Sequence, residues 1–162
     1  MSPETKKELK ARSEITIRQL EWQDTDIEQI LEIDALCFNS YDAYTLEDYR
    51  RRFKANPDLC LVAEIGGRIA GDMLSSVIEG KAELNSMATH PDYRRCGVGA
   101  ALLDETVRLV RAYDMRFIEL QVRKSNSDGL AFWQKMGFVI IEELPGFYPD
   151  GEDGWLMSKS IS

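Results

Sequence analysis

The stretch Asn85–Leu103, NSMATHPDYRRCGVGAALL, constrains this chain more than any other. A short apolar segment runs into a break at His90-Pro91-Asp92. A basic, glycine-rich loop follows, Arg94-Arg95-Cys96-Gly97-Val98-Gly99. A helix pattern then starts at once: Ala100, Leu103, Val107 and Val110 share one face at spacings of three and four. Charges fall elsewhere, with Asp104 four residues ahead of Arg108. The next apolar run, Phe117–Val122, reads as a strand. Strand 82–89, helix 99–113 and strand 117–122 form a βαβ unit, so the two strands are expected to be parallel. A helix start leaves backbone N–H groups without intrahelical partners and carries partial positive charge. Gly97 and Gly99 lack Cβ, so an anion can approach the main chain there. Arg94 and Arg95 add charge and donors that suit phosphate.

The rest of the chain supplies the sheet around this unit. Ile15–Arg18 alternates apolar and polar and reads as a first strand. Thr25-x-x-Glu28 has capping-box spacing, and Ile27, Ile30, Leu31 and Ala35 form the apolar face of the helix after it, ending near Cys37-Phe38. Asn39–Tyr44 is a loop with two tyrosines. Thr45-x-x-Asp48 is a second cap, with Leu46, Tyr49 and Phe53 at helical spacing, stopped by Asn56-Pro57-Asp58. Leu59–Ile65 and Arg68–Val77 are strands joined by a Gly66-Gly67 turn, with Gly71 at a bulge. Gly80-Lys81 turns the chain into Ala82–Thr89. Asn126 or Ser127 caps a helix with Leu130, Trp133 and Met136 on one side and Gly137 after its end. Phe138–Glu143 and Trp155–Lys159 are the last strands, and Pro145–Gly154 between them is rich in turn residues. The expected fold class is α/β: a mixed sheet of about seven strands, flanked by helices, with a βαβ core.

Length and charge set bounds. The 162 residues suit one domain, 15–162, after a flexible polar tail, 1–14. The polar start carries no apolar run of a signal peptide, and no stretch is long and apolar enough to span a membrane. Cys37, Cys60 and Cys96 are odd in number and widely spaced, which reads as free thiols in a reducing, cytoplasmic setting and not as zinc ligands. The net charge of −8 makes a general nucleic-acid binder a poor expectation. An anionic cofactor then needs a local basic site, which Arg94, Arg95, Arg123 and Lys124 can supply. The acidic remainder favours a cationic substrate such as an amine.

Three phosphate loops compete for the glycine motif. A P-loop needs Gly-Lys-Ser/Thr, but Gly99 is followed by Ala-Ala-Leu. A dinucleotide fingerprint needs a third glycine where Leu102 stands, although Glu119 sits where a ribose-binding acid would. The third pattern, Arg94-x-x-Gly97-x-Gly99, resembles the pyrophosphate loop of the GNAT N-acetyltransferases. An ordinary left-handed turn into a helix also accounts for it. The resemblance extends from about Ile15 to Ile161. Leu120–Asn126 looks like the strand and Asn that meet the CoA chain, and Phe132-Trp-Gln-Lys-Met-Gly-Phe138 resembles the family's Leu-Tyr-x-x-x-Gly-Phe. Tyr148-Pro-Asp-Gly-Glu-Asp153 resembles the substrate-side hairpin of protein N-terminal acetyltransferases, including the ribosomal-protein-alanine type.

The resemblance implies a GNAT fold and transfer of acetyl from acetyl-CoA to a primary amine, with a peptide or protein α-amine foremost, in a ternary complex and without metal. Carried over by motif, Met87, Ala88 and Thr89 offer backbone to the thioester and pantetheine. Arg94, Arg95, Cys96, Gly97, Val98, Gly99 and Ala100 hold pyrophosphate, and Asn126 and Trp133 complete the cofactor site. Tyr44 and Tyr148 line the amine side, Glu83 is the candidate base, and Tyr148 is a second catalytic candidate. Two departures stand out. Trp133 occupies the place of a tyrosine acid, and its indole offers no accessible acid chemistry. Gln121 stands where related enzymes carry Glu or His and cannot be a base, which moves that task to Glu83 or water. His90, before Pro91, reads as structural or exposed and not catalytic, and Tyr41 as surface packing. The rivals are a small-molecule amine acetyltransferase, an acetyl-CoA-binding module without turnover, and a dinucleotide-binding protein. Partners are then acetyl-CoA and an amine, with a monomer or homodimer as the assembly.

Overall fold

A computed structural model describes residues 14–38 and 42–162. Tyr41 and, except for Glu14, the expected tail lie outside the described residues. Seven strands form one sheet: β1 (Thr16–Gln19), β2 (Cys60–Ile65), β3 (Arg68–Ile78), β4 (Lys81–Thr89), β5 (Phe117–Arg123), β6 (Val139–Leu144) and β7 (Gly154–Ser160). Their order is β1-β2-β3-β4-β5-β7-β6. Four helices flank it: α1 (Asp24–Cys37), α2 (Leu46–Ala55), α3 (Val98–Arg111) and α4 (Ser127–Lys135). Every paired neighbour is antiparallel except β4 and β5, the parallel pair expected of the βαβ unit.

The sheet buries both faces. On one, Leu102, Leu103, Val107 and Val110 of α3 and Trp133 of α4 pack on Leu61, Met73, Leu84 and Leu120. On the other, Ile30 and Ile33 of α1 and Tyr49 of α2 pack on Val62, Leu74 and Ala88. Each apolar side chain taken from water in this way contributes about 1.5–3 kcal/mol. Because Ile118, Leu120 and Val122 enter the first core, alternation turns Glu119, Gln121 and Arg123 to the opposite face.

Local details depart from expectation in informative places. Thr25-x-x-Glu28 makes no capping box; α1 starts at Asp24 behind Gln23, which supplies no side-chain cap. Asp26 is instead drawn to the Arg18 guanidinium at 2.7 and 2.8 Å and to the Glu21 N–H at 2.9 Å. These contacts, the guanidinium first, hold its carboxyl below the usual range. The second box is real: Thr45 and Asp48 cap α2 reciprocally. Arg108 pairs with Glu105, not Asp104. The buried face of α3 is wider than the spacing suggests, since Leu102 and Thr106 are buried while Ala100 is half-buried. Gly66 and Gly67 both have positive φ, as a two-residue hairpin requires. The next such turn is Glu79-Gly80, one residue earlier than expected, at φ of 53° and 75°.

Gly71 lies next to the β2–β3 register shift, and its main service is closeness. A Cβ there would meet Ala88 O at 2.7 Å and Val98 Cγ1 at 2.8 Å, so the bare glycine lets the start of α3 settle on the sheet.

Asp72 of β3 is fully buried on the α1–α2 side, and neither carboxyl oxygen has a hydrogen-bond partner among the described residues. Burial, then the negative charge of Asp34, pushes its pKa well above the normal carboxyl range. Burial pushes Asp34 up as well. Tyr49 of α2 lies within electrostatic reach of both acids. The folded protein therefore keeps protons that the unfolded chain releases above about pH 3.9. Stability is fully present below that value and falls as pH rises through the folded-state value. Asp72→Asn removes one such group, so its thermal midpoint is expected to fall less than the wild type's between pH 5 and 9. Melting curves across that range check it, and parallel curves would contradict it.

Candidate active site

Strands β4 and β5 are paired at Glu83 and Glu119, and no further register pair joins them among the described residues. Past that point they part. Backbone groups of a strand alternate between neighbours, so the freed edges of β4 and β5 present N–H and C=O groups to the gap. A register shift of β4 against β3, between Leu74 and Ser75, leaves Asn85 as an extra residue at the head of the gap. A cavity of about 580 Å³ fills this wedge.

Met87, Asn126, Trp133, Tyr44 and Tyr148 line that cavity, together with Asn85 and Gln121. Asn126 is the N-cap of α4, accepting the Gly129 N–H at 2.9 Å. Trp133 is at once lining and core, only 7% exposed and stacked edge-on to Phe132 and Phe138. The Tyr44 hydroxyl donates to Asn85 O at 3.4 Å across the bulge. Asn85 Oδ1 is buried with no partner among the described residues, so a ligand donor entering the wedge would satisfy it. Burial pushes the Tyr148 hydroxyl up to about 12, which keeps it a donor at neutral pH.

The glycine loop lies beyond the lining, at the start of α3. Gly97 is the N-cap of α3 at φ 83°, a left-handed conformation, and no side chain caps the helix. The first intrahelical bond runs from Ala101 N–H to Gly97 O. The N–H groups of Val98, Gly99 and Ala100 precede it and have no intrahelical acceptor. Arg94 and Arg95 are exposed beside this end, and Arg95 also has positive φ, 66°. Arg94 Nη2 reaches Cys37 Sγ at 3.7 Å, and that thiol donates to Thr89 O at 3.2 Å. Cys96 and Val98 are buried, so the loop presents their backbone and not their side chains. What Gly99 permits is packing: a Cβ there would meet Phe132 Cζ at 3.0 Å and Met87 Sδ at 3.3 Å. An uncapped helix start with two adjacent arginines suits pyrophosphate, and the polar edges of the wedge suit an amide-bearing arm.

Glu83 stands just outside the cavity, at the last paired position before the strands part. Ala82 and Leu84 enter the α3 core, so Glu83 shares the opposite face with Glu119 and Gln121. Lys81 Nζ lies 3.0 Å from its Oε1 and 3.7 Å from Glu119 Oε2. Glu119 thus stands on the sheet floor, not over the glycine loop. His90 Nδ1 accepts the Asp92 N–H at 3.1 Å and organises the turn before the loop. Arg123 and Lys124 do not join Arg94 and Arg95. Arg123 is paired with Asp42, Asp150 and Glu152, and Lys124 with Glu143 and Asp153. That acidic surround of Arg123 was not foreseen from the sequence; its Asp42 partner is 81 residues away.

The sequence profile described as the Acetyltransferase (GNAT) family matches residues 27–138, most of the chain and both strands that form the wedge. The chain belongs to the GNAT acetyltransferase family. An N-alpha-acetyltransferase of Sulfurisphaera tokodaii is 30% identical over 151 residues, covering 85% of this chain and 89% of that protein. The Ard1 structure from Thermoplasma volcanium superposes with a TM-score of 0.83 at 29% identity, covering 92% of this chain and 99% of the other. The ribosomal-protein-S18-alanine N-acetyltransferase of Escherichia coli gives 0.76 at 25% identity, over 91% and 94% of the two chains. The GNAT enzyme is accordingly an acetyl-CoA-dependent N-acetyltransferase. Among the described residues, no helix of this acetyltransferase is long and apolar enough to cross a membrane, and no cluster of three or more His, Cys, Asp or Glu could hold a metal.

Proposed function

We propose that this acetyltransferase acts on the α-amine of a peptide or protein N-terminus, by direct attack in a ternary complex. The observation that carries this reading is the acceptor end of the wedge. It is walled by two loops, one bearing Tyr44 before α2 and one bearing Tyr148 between β6 and β7; the Tyr148 hydroxyl is a donor suited to a peptide carbonyl, and the Tyr44 hydroxyl, bonded to Asn85 O, holds its wall to the bulge. The names of the relatives from Sulfurisphaera tokodaii and Escherichia coli support the same acceptor class.

In this reading acetyl-CoA lies with its pyrophosphate on the N–H groups at the start of α3, beside Arg94 and Arg95. Its pantetheine arm runs along the freed edge of β4, Met87 to Thr89. A backbone N–H of that edge polarises the thioester carbonyl, where negative charge grows during attack. Glu83 accepts a proton of the incoming ammonium through water from the floor of the sheet. The N–C bond forms, the C–S bond breaks, and the sulfur leaves as thiolate and takes the second proton, which the nitrogen loses as it becomes an amide. A thiol has a free pKa of about 8.5, so departure does not need a strong acid, and Trp133 in place of a tyrosine does not stop the reaction. The Tyr148 hydroxyl is the donor on hand for the sulfur or for the acceptor backbone.

Tyr148→Phe is expected to raise the KM for a short peptide about tenfold, the order of one lost hydrogen bond, while the acetyl-CoA dissociation constant stays within twofold. Steady-state kinetics and ligand titration check both. Efficient acetylation of polyamines or free amino acids with no peptide turnover would favour the small-molecule reading.

A further inference from the structure

The end of β5 carries an arrangement that the acetyl-transfer chemistry does not use. Arg123 Nε and Nη2 donate to Asp42 Oδ2 and Oδ1, both at 2.8 Å, a two-pronged pair with the loop before α2. Its Nη1 donates to Asp150 Oδ2 at 2.9 Å and to Glu152 Oε1 at 2.8 Å, both on the β6–β7 loop. The guanidinium carbon lies 4.2 Å from the centre of the Tyr148 ring. Asp42 is two residues from Tyr44, and Asp150 two residues from Tyr148. Glu152 Oε2 also accepts the Ser125 N–H at 3.0 Å, and its carbonyl accepts the Tyr148 N–H at 3.1 Å. One guanidinium therefore ties both walls of the acceptor end to the same strand terminus.

We propose that Arg123 is a positioning residue for the acetyl acceptor, acting through Tyr44 and Tyr148, which it holds at a fixed separation across the mouth of the wedge. This rests on the reading that the acceptor enters between those loops. Three carboxylates face one cation. Without the guanidinium they repel, while the β6–β7 wall keeps its own ties to the end of β5, through the Ser125 N–H on Glu152 Oε2 and the Lys124 N–H on Asp153 O. A planar fork serves two loops at once, whereas a lysine ammonium is a point charge that cannot span them. The carboxylates are about a quarter to two-fifths exposed, so these pairs contribute little to global stability. Their effect falls on the placement of the two walls, and so on how well the acceptor is bound.

The test is steady-state kinetics of Arg123→Met and Arg123→Lys with a short peptide, beside acetyl-CoA titration and thermal melts. Arg123→Met is expected to raise the peptide KM by about tenfold or more, with kcat and acetyl-CoA affinity within about twofold. Arg123→Lys is expected to recover little of the loss. Millimolar methylguanidinium should restore the peptide KM of Arg123→Ala but not that of the wild type. If Arg123→Met does not fold, Asp42→Asn and Glu152→Gln each loosen one wall and are expected to raise the peptide KM several-fold. An unchanged peptide KM in these variants overturns the proposal, as does a loss shared equally by acetyl-CoA affinity. If the wild type acetylates a small amine but no peptide, the N-terminal reading fails. The latch is then judged on the KM of that amine, by the same variants and the same criteria.

Discussion

Glu83→Gln is expected to bind acetyl-CoA as the wild type does and to lose about a hundredfold or more in kcat near neutral pH. The substitution keeps size and hydrogen bonding and removes the basic carboxylate. Of the other acids, Asp42, Asp150 and Glu152 are engaged by Arg123 and Asp34 by the Tyr44 N–H at 3.0 Å, while Asp128 lines the cavity at the start of α4 and Glu119 shares Lys81 with Glu83. Tyr44 and Tyr148 are raised by burial and stay protonated, so they donate and do not accept a proton. Gln121 and Asn85 are amides. Glu83 lies two residues, about 7 Å along the strand, from Asn85 at the head of the wedge, close enough to act through water. Its partner is a half-exposed lysine, Lys81, which a solvated substrate ammonium can displace. The lost rate should return in part at high pH, where more of the amine is already deprotonated. A pH profile of kcat for variant and wild type checks this. Wild-type rates across the whole range would remove Glu83 from the mechanism.

Gly97→Glu is expected to abolish the thermal shift that acetyl-CoA gives the wild type. A hundredfold excess of ligand over its dissociation constant stabilises a fold by about 2.7 kcal/mol, or roughly 5–10 °C for a chain of this size. The glutamate puts a Cβ and a negative charge at the uncapped start of α3, where pyrophosphate would lie. Positive φ at Gly97 means that any side chain there also brings strain, so Gly97→Ala is the control. The alanine variant should melt lower than the wild type yet keep most of the shift. A full shift in Gly97→Glu would mean that the phosphates bind elsewhere.

Sequence patterning carried most of the architecture, for physical reasons. The βαβ unit was legible because its turn, helix and strands each follow a local period, and parallel pairing follows from the crossover. Thr45 and Asp48 announced a helix start that depends only on neighbours. Thr25 and Glu28 announced one that did not form, because Asp26 found Arg18 eight residues back and the helix began earlier. Asp104 and Arg108 failed likewise, Glu105 offering a nearer partner one turn away. Glycines read as phosphate-binding or bulge signals proved to serve packing as well: Gly71 admits Val98, and Gly99 faces Phe132 and Met87. The candidate site was legible where a motif is contiguous, as in Arg94–Gly99 and Tyr148–Asp153. It was illegible where chemistry is assembled across the chain. Nothing local in Arg123 points to Asp42, and the unpartnered Oδ1 of Asn85 arises from a register shift that only pairing with β3 creates.

The most direct measurement is to map the acetyl group by fragmentation mass spectrometry. The substrate is a short peptide with one free α-amine and one internal lysine, incubated with enzyme and acetyl-CoA beside the same peptide formylated at its N-terminus. Acetyl is expected on the α-nitrogen of the first peptide and nowhere on the second. Acetyl on the lysine of both peptides, or on neither peptide while a polyamine in the same mixture is acetylated, would contradict the N-terminal reading.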